Sequence, residues 1–397
     1  MELRSGYKQT EAGLIPEDWD VHLLGTLATM VASGRSSAGS ALGDYPVYGS
    51  TGIIGNTALP EYDGEAILTA RVGANAGRLN FVSGKYGVTD NTIILRFGGS
   101  CNLPFFWRQL EAKRLNSLVF GSGQPLITGT QLKALPLAVP AFPEQTAIAE
   151  ALGDVDALLS GLDKLIAKKR DLKQAAMQQL LTGKTRLPGF SGEWEVKRLG
   201  EFGVCYRGVS YSPNDDLFSG DVAESVRLLR ANNVQNSSVV LDVLQFVKRN
   251  RVADHQYLCV GDVLICMANG SKELVGKAAR VVLDDGMNYT FGAFMGCYRP
   301  NTGLVNASFS FYLFQTEAYR RQLAILLAGS SINNLSPKSI DGLEMKIPAR
   351  REEQASIAEV LSSMDAELAA LEARREKTRL LKQGMMQELL TGKTRLV

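Results

Sequence analysis

PEQTAIAEALGDVDALLSGLDKLIAKKRDLKQAAMQQLLTGKTRL runs from Pro143 to Leu187, and EEQASIAEVLSSMDAELAALEARREKTRLLKQGMMQELLTGKTRL from Glu352 to Leu396. Shifted by 209 residues, the two match without a gap at 25 of 45 positions, which establishes an internal duplication and with it the architecture. The repeat extends upstream. KALPLAVP (Lys133–Pro140) answers DGLEMKIP (Asp341–Pro348), and GSGQPLITGTQL (Gly121–Leu132) answers GSSINNLSPKSI (Gly329–Ile340). Each unit opens alike, with PEDWDVHLLGTL (Pro16–Leu27) and SGEWEVKRLGEF (Ser191–Phe202). The chain therefore reads as a domain over 1–142, a long helix over 143–187, a second domain over 188–350 and a second long helix over 351–397.

Both repeats have helical periodicity. The apolar positions run Ile148, Leu152, Val155, Leu159, Leu162, Ile166 in the first copy and Ile357, Leu361, Met364, Leu368, Leu371 in the second. Steps of four and three give the 3.5-residue period of a seam that packs along another helix. About 38 residues at roughly 1.5 Å each make a rod on the order of 57 Å. Two rods with matching seams pair most economically with each other; the competing arrangement packs each seam on its own domain. The GKT inside LLTGKTRL invites comparison with a phosphate-binding loop, but Gln178 and Gln387 stand where such a loop needs its first glycine. Gly183 and Gly392 instead fit left-handed helix stops, with Lys184, Arg186, Lys393 and Arg395 suited to the negative end of the helix dipole.

Bulk composition narrows the function. The chain has 397 residues and a formal charge of +2, so nucleic-acid binding must come from local patches rather than a global field. No apolar run reaches membrane-spanning length and the first residues lack a signal-peptide core, so a cytoplasmic protein is expected. Five cysteines form no CxxC pair, and two histidines leave a His-based metal site or a Ser/His/Asp triad without its usual residues. No metal site and no catalytic constellation is expected. The two domains read as mixed α/β. DGEAILTARVGANAGRLNFVSG (Asp63–Gly84) and VGDVLICMANGSKELVGKAARVVL (Val260–Leu283) share a strand, turn, strand rhythm, and aromatic helices follow in both halves. Two similar readers carried by paired rods suit a bipartite target, and DNA is the common polymer with such spacing.

At GYKQTEAGLIPEDWDV (Gly6–Val21), the EQ..IAE helix starts, the LKQ..MQ.LLTGKTRL helix ends and the RLPGFSGEWEVKRLGE junction (Arg186–Glu201), the chain resembles the specificity subunit of type I restriction–modification systems. The resemblance covers essentially the whole chain. It implies two target recognition domains, each reading half of a split site in double-stranded DNA. It also implies an antiparallel coiled coil that sets the spacer and docks two methyltransferase subunits. S-adenosylmethionine would belong to the methyltransferase, cleavage to separate motor and nuclease subunits, and this chain would hold no cofactor. Base readers follow from residue type, because Arg and Lys suit guanine and Asn and Gln suit adenine in the major groove. In the first domain these are Arg35, Arg71, Asn75, Arg78 and Gln124; in the second, Arg230, Asn232, Asn233, Lys272, Lys277, Asn333 and Asn334. Tyr48 suits core and contact equally. The alternative from another class is a coiled-coil interaction scaffold that binds no DNA.

Overall fold

Good helix formers dominate both repeats, and their prolines are confined to the first turn, where a missing N–H costs nothing. The computed structural model accordingly shows helices over Phe142–Leu180 and Arg351–Leu389. It describes residues 5–37, 43–119, 126–328 and 333–396. Gly183 and Gly392 stop the helices at φ +71° and +67°, as expected of left-handed caps. The chain divides into two compact units, Met1–Lys164 with Glu372–Val397, and Leu165–Leu371. Each unit thus holds one mixed α/β domain and a part of both helices, so the units cut across the linear division into domains and helices.

Within each unit the helix parts run antiparallel. In the first, Asp156 meets Lys382 at 2.8 Å and Asp163 pairs with Arg375. In the second, Lys169 meets Glu367 at 2.6 Å and Lys173 meets Asp365 at 2.5 Å. The seam is legible in the burial. Ile148, Leu152, Leu162, Ile166, Ile357, Leu361 and Leu368 are buried, while Val155, Leu159, Met364 and Leu371 are half-buried. Helix ends and helix starts also lock together. Arg395 donates to Glu144 at 2.6 and 2.8 Å in the first unit, and Arg186 donates to Glu353 at 2.5 and 2.6 Å in the second. This corrects the assignment of Arg186 and Arg395 to the helix dipole: each is held by a carboxylate that is almost fully buried. The recurring EQ glutamine is equally structural. Gln145 donates to the Pro140 carbonyl and accepts from the Asn102 N–H, and Gln354 does the same with Pro348 and Asn306.

The first unit carries two four-stranded sheets. One orders Ala28–Ser33, Thr92–Phe97, Ala66–Ala70 and Leu79–Val82; the other orders Gly52–Thr57, Tyr45–Gly49, Lys85–Val88 and Tyr62–Asp63. In the second unit Gly203–Arg207, Met295–Pro300, Val263–Cys266 and Ala278–Arg280 repeat the first of these orders, and Ser225–Leu229 lies parallel to Tyr289–Phe291 as Tyr45–Gly49 lies parallel to Lys85–Val88. In each unit the main core joins strand residues to leucines from the LLTGKTRL copy that the unit contains. Leu389 and Leu390 pack with Trp19, Phe105, Ile148 and Leu152, and Leu180 and Leu181 pack with Trp194, Phe309, Ile357 and Leu361. Gly34 and Gly208 mark the same crossing in both: a Cβ there would lie 2.1 Å from the Val88 or Gly292 carbonyl oxygen.

Candidate nucleic-acid interface

One backbone scaffold recurs in the two units beneath unlike side chains. In the first, the Arg71 N–H donates to the Asn91 carbonyl (3.0 Å), the Arg71 carbonyl accepts from Ile127 (2.8 Å), and Gly77 donates to Ala70 (2.8 Å). In the second, Met267 donates to Phe294 (2.8 Å), accepts from Leu335 (2.8 Å), and Gly276 donates to Cys266 (2.7 Å). Arg71 therefore occupies the place of Met267, and Asn91 that of Phe294. Arg78 and Lys277 also correspond, their carbonyls accepting from Ala70 and Cys266 at 2.9 Å each. The turn that follows the parallel strand is pinned identically: Thr89 donates to Tyr48 and Gly292 to Leu229, at 2.9 and 3.0 Å.

In the first unit, the Arg71 guanidinium is held by Ser33 Oγ at 3.0 Å, yet its Nε is buried with no hydrogen-bond partner among the described residues. Arg78 is exposed and donates to the Thr51 carbonyl at 3.0 Å, which ties the loop to the tip of the Tyr45–Thr57 hairpin. Beside that tip lies a cleft of about 390 Å³ lined by Ser36, Thr51, Ile54, Asp90 and Asn91. Asn75 sits half-buried in a neighbouring hollow with Arg78 and Arg114, and Arg35 is exposed on the segment leaving Ser33. Gln124 lies outside the described residues. Tyr48 is half-buried edge-on to Tyr86, and burial raises its phenol pKa.

In the second unit, Arg230 and Asn232 line a larger cleft of about 650 Å³ together with Tyr211, Arg251, Asn269 and Phe294. Arg230 Nε, like Arg71 Nε, is buried without a hydrogen-bond partner among the described residues. Lys272 is exposed and Lys277 half-buried on the loop equivalent to that of Arg78. Asn333 donates to the Gly270 carbonyl at 3.4 Å, and Asn334 Oδ1 accepts from Arg207 at 3.2 Å. Asn233 must be withdrawn as a base reader. It is fully buried, and its amide is consumed by the Arg230 N–H and by the Val240 and Val243 carbonyls. Arg207, Arg251, Asn269, Asp90, Asn91 and Phe294 escaped the reading by residue type.

Among the described residues no group of three or more His, Cys, Asp or Glu could hold a metal ion, and no helix is long and apolar enough to cross a membrane. Comparison with known proteins agrees with this geometry. Residues 16–169 and 191–381 each match the type I restriction modification DNA specificity domain, and the chain belongs to that family. It is 32% identical over 200 residues to the type I restriction enzyme EcoKI specificity subunit of Escherichia coli strain K12, a match spanning 50% of this chain and 42% of that subunit. A similar match, 32% over 185 residues, links it to the StySPI specificity subunit of Salmonella potsdam and spans 46% of this chain and 39% of that one. The stretches matched thus span less than half the length of these two relatives. Likeness to the MjaVIII specificity subunit of Methanocaldococcus jannaschii is 21% and covers 98% and 96% of the two chains. In fold, the chain is similar to the crystal structure of the type I restriction-modification S subunit from M. genitalium, with a TM-score of 0.67, 15% identity and 98% of each chain covered.

Proposed function

We propose that this chain is the DNA-reading subunit of a type I restriction–modification complex and recognises a bipartite target, one half-site per unit. The observation that carries this is the recurrence of one pinned backbone scaffold under different side chains, each copy inside a DNA specificity domain. Two readers of different sequence need such a frame, because hydrogen bonds between protein backbone groups hold position while side chains address base edges. Partly desolvated arginines beside each cleft suit the phosphate backbone as well as guanine. On this reading the helix pair sets the unread spacer and docks two methyltransferase subunits. Leu165 and Leu172, seven apart on the part of the first long helix that belongs to the second unit and both exposed, offer apolar surface for such docking. The subunit itself is non-catalytic and works in the cytoplasm. S-adenosylmethionine belongs to the methyltransferase, and cleavage to the motor and nuclease subunits.

The test is fluorescence anisotropy of duplex DNA with the chain and its methyltransferase together. A specific duplex should bind at least a thousandfold tighter than random duplex, with affinity falling steeply as salt rises. Binding that ignores both sequence and salt would return the chain to an interaction scaffold.

A further inference from the structure

Building on the DNA reading above, we propose that the turn after the parallel strand is the base-reading element of both units: Asp90–Asn91 reads by hydrogen bonds, and Phe294 reads by apolar contact with a thymine C5-methyl. The two turns are equivalent in backbone. Thr92 donates to the Thr89 carbonyl at 3.1 Å, and Met295 donates to the Gly292 carbonyl at 2.8 Å. The Asn91 carbonyl accepts from Arg71, and the Phe294 carbonyl accepts from both Met267 and Ala268, at 2.8 and 3.1 Å. These bonds fix the backbone while the side chains of Asp90, Asn91 and Phe294 stay exposed. Such preorganised groups lose little entropy when they bind.

The side chains select the class of ligand. An exposed carboxylate facing a phosphate backbone would be repelled by the phosphates. Asp90 therefore needs a donor, and the base edges that offer one in the major groove are the amino groups of cytosine and adenine. The Asn91 amide suits the two-point edge of adenine. Phe294, 70% exposed, has no hydrogen-bonding group, and its neighbour Ala293 replaces Asp90 and adds none. In the major groove the apolar feature a ring can recognise is the thymine methyl group. Arg230, Asn232, Arg251 and Asn269 flank it with charge and amide groups. They give the polyanion a seat around an apolar centre, the arrangement of an energetic anchor within a polar rim.

The experiment uses the chain in complex with its methyltransferase and the duplex found by methylome sequencing. Each thymine of the half-site assigned to the second unit is replaced by uracil, which removes the methyl group and leaves the protein unaltered. One such replacement should weaken binding severalfold to tenfold, and Phe294→Ala should abolish that difference. Asp90→Ala with Asn91→Ala should relax one base pair of the other half-site by on the order of tenfold. Thermal unfolding of the variants confirms that they remain folded. The proposal is overturned if no thymine is sensitive, if Phe294→Ala leaves the sensitivity intact, or if it weakens thymine and uracil duplexes alike, which would make the ring a wedge. It is also overturned if the Asp90/Asn91 variant keeps full discrimination. Absence of any sequence-specific binding by the unmodified complex would defeat the DNA reading itself, whereas specific binding with indifferent variants defeats the turn alone.

Discussion

Arg395 grips Glu144 through Nε and Nη2 at 2.6 and 2.8 Å, joining the end of one repeat to the start of the other. Glu144 is 1% exposed and also accepts from Trp19 Nε1 at 3.0 Å, over whose ring the Arg395 guanidinium lies. Arg186 and Glu353 repeat the arrangement beside Trp194, whose Nε1 is buried without a partner among the described residues. The recurring EQ and LLTGKTRL motifs are therefore the two sides of one clasp, used once in each unit. Neither is a nucleotide-binding loop.

Breaking the clasp should destabilise the unit that contains it. Arg395→Ala leaves the buried Glu144 with Trp19 Nε1 as its remaining partner among the described residues. A loss of about 3 kcal/mol is expected, near the lower end for breaking a buried pair because the arginine is partly exposed. Urea unfolding monitored by the fluorescence of Trp19 and Trp107, both in the first unit, with Trp194 replaced by Phe in both proteins, checks it. An unchanged midpoint would show that the pair contributes nothing net.

The same clasp carries a pH signature. The hydrogen bond from Arg395 lowers the Asp18 carboxyl pKa below its ordinary value. A pKa lowered by folding gives stability that is fully present above the unfolded value of about 3.9 and is lost as pH falls through the folded value. Asp18→Asn should therefore be slightly less stable than the parent at pH 7, by tenths of a kcal/mol because the aspartate is largely exposed. The difference should vanish as the pH drops below about 4. A gap that widens in acid would contradict the assignment.

Asn232 and Asn233 are neighbours in sequence, one exposed beside the cleft and the other fully buried. Asn233→Ala should cost about 2–3 kcal/mol, because it strands the Arg230 N–H and two carbonyls in a buried site. Asn232→Ala should leave the unfolding midpoint unchanged and weaken DNA binding. Thermal unfolding and anisotropy on both variants separate the roles, and equal stability losses would refute the distinction.

Length offers a further prediction. Removing Ala157–Asp163 and Arg375–Leu381, segments that meet through the Asp163–Arg375 pair, takes a heptad from each helix and preserves the seam. A heptad is about 10.5 Å of rod, or roughly three base pairs at about 3.4 Å per step. An active variant should keep both half-sites and shorten the spacer by about that number. An unchanged spacer in an active variant would remove the ruler role from the helices.

Much of the fold was legible because duplication and heptad periodicity are properties of sequence alone. Ile148, Leu152, Ile357 and Leu361 announce the seam, and Gly183 and Gly392 announce the helix ends. The clasps were not legible. Glu144 and Arg395 are 251 positions apart, and nothing local marks them as partners. The site was legible only in part. Arg71, Arg78, Arg230 and Asn232 stay available as candidate readers, on loops beside the clefts. Asn233 did not, because an amide that satisfies buried backbone has the same composition signal as one that reads a base. Phe294 was invisible for a physical reason: its equivalence to Asn91 resides in backbone hydrogen bonds, which the two turns share without sharing side chains.

The most direct test of bipartite reading is single-molecule sequencing of methylated adenines in cells expressing this chain with its methyltransferase. A split motif of two short specific halves around a fixed unread spacer is predicted. Replacing the Arg71–Arg78 loop should alter one half and leave the other intact. A continuous motif, a change in both halves together, or no methylation dependent on this chain would contradict the reading of two separate half-sites by two copies of one scaffold.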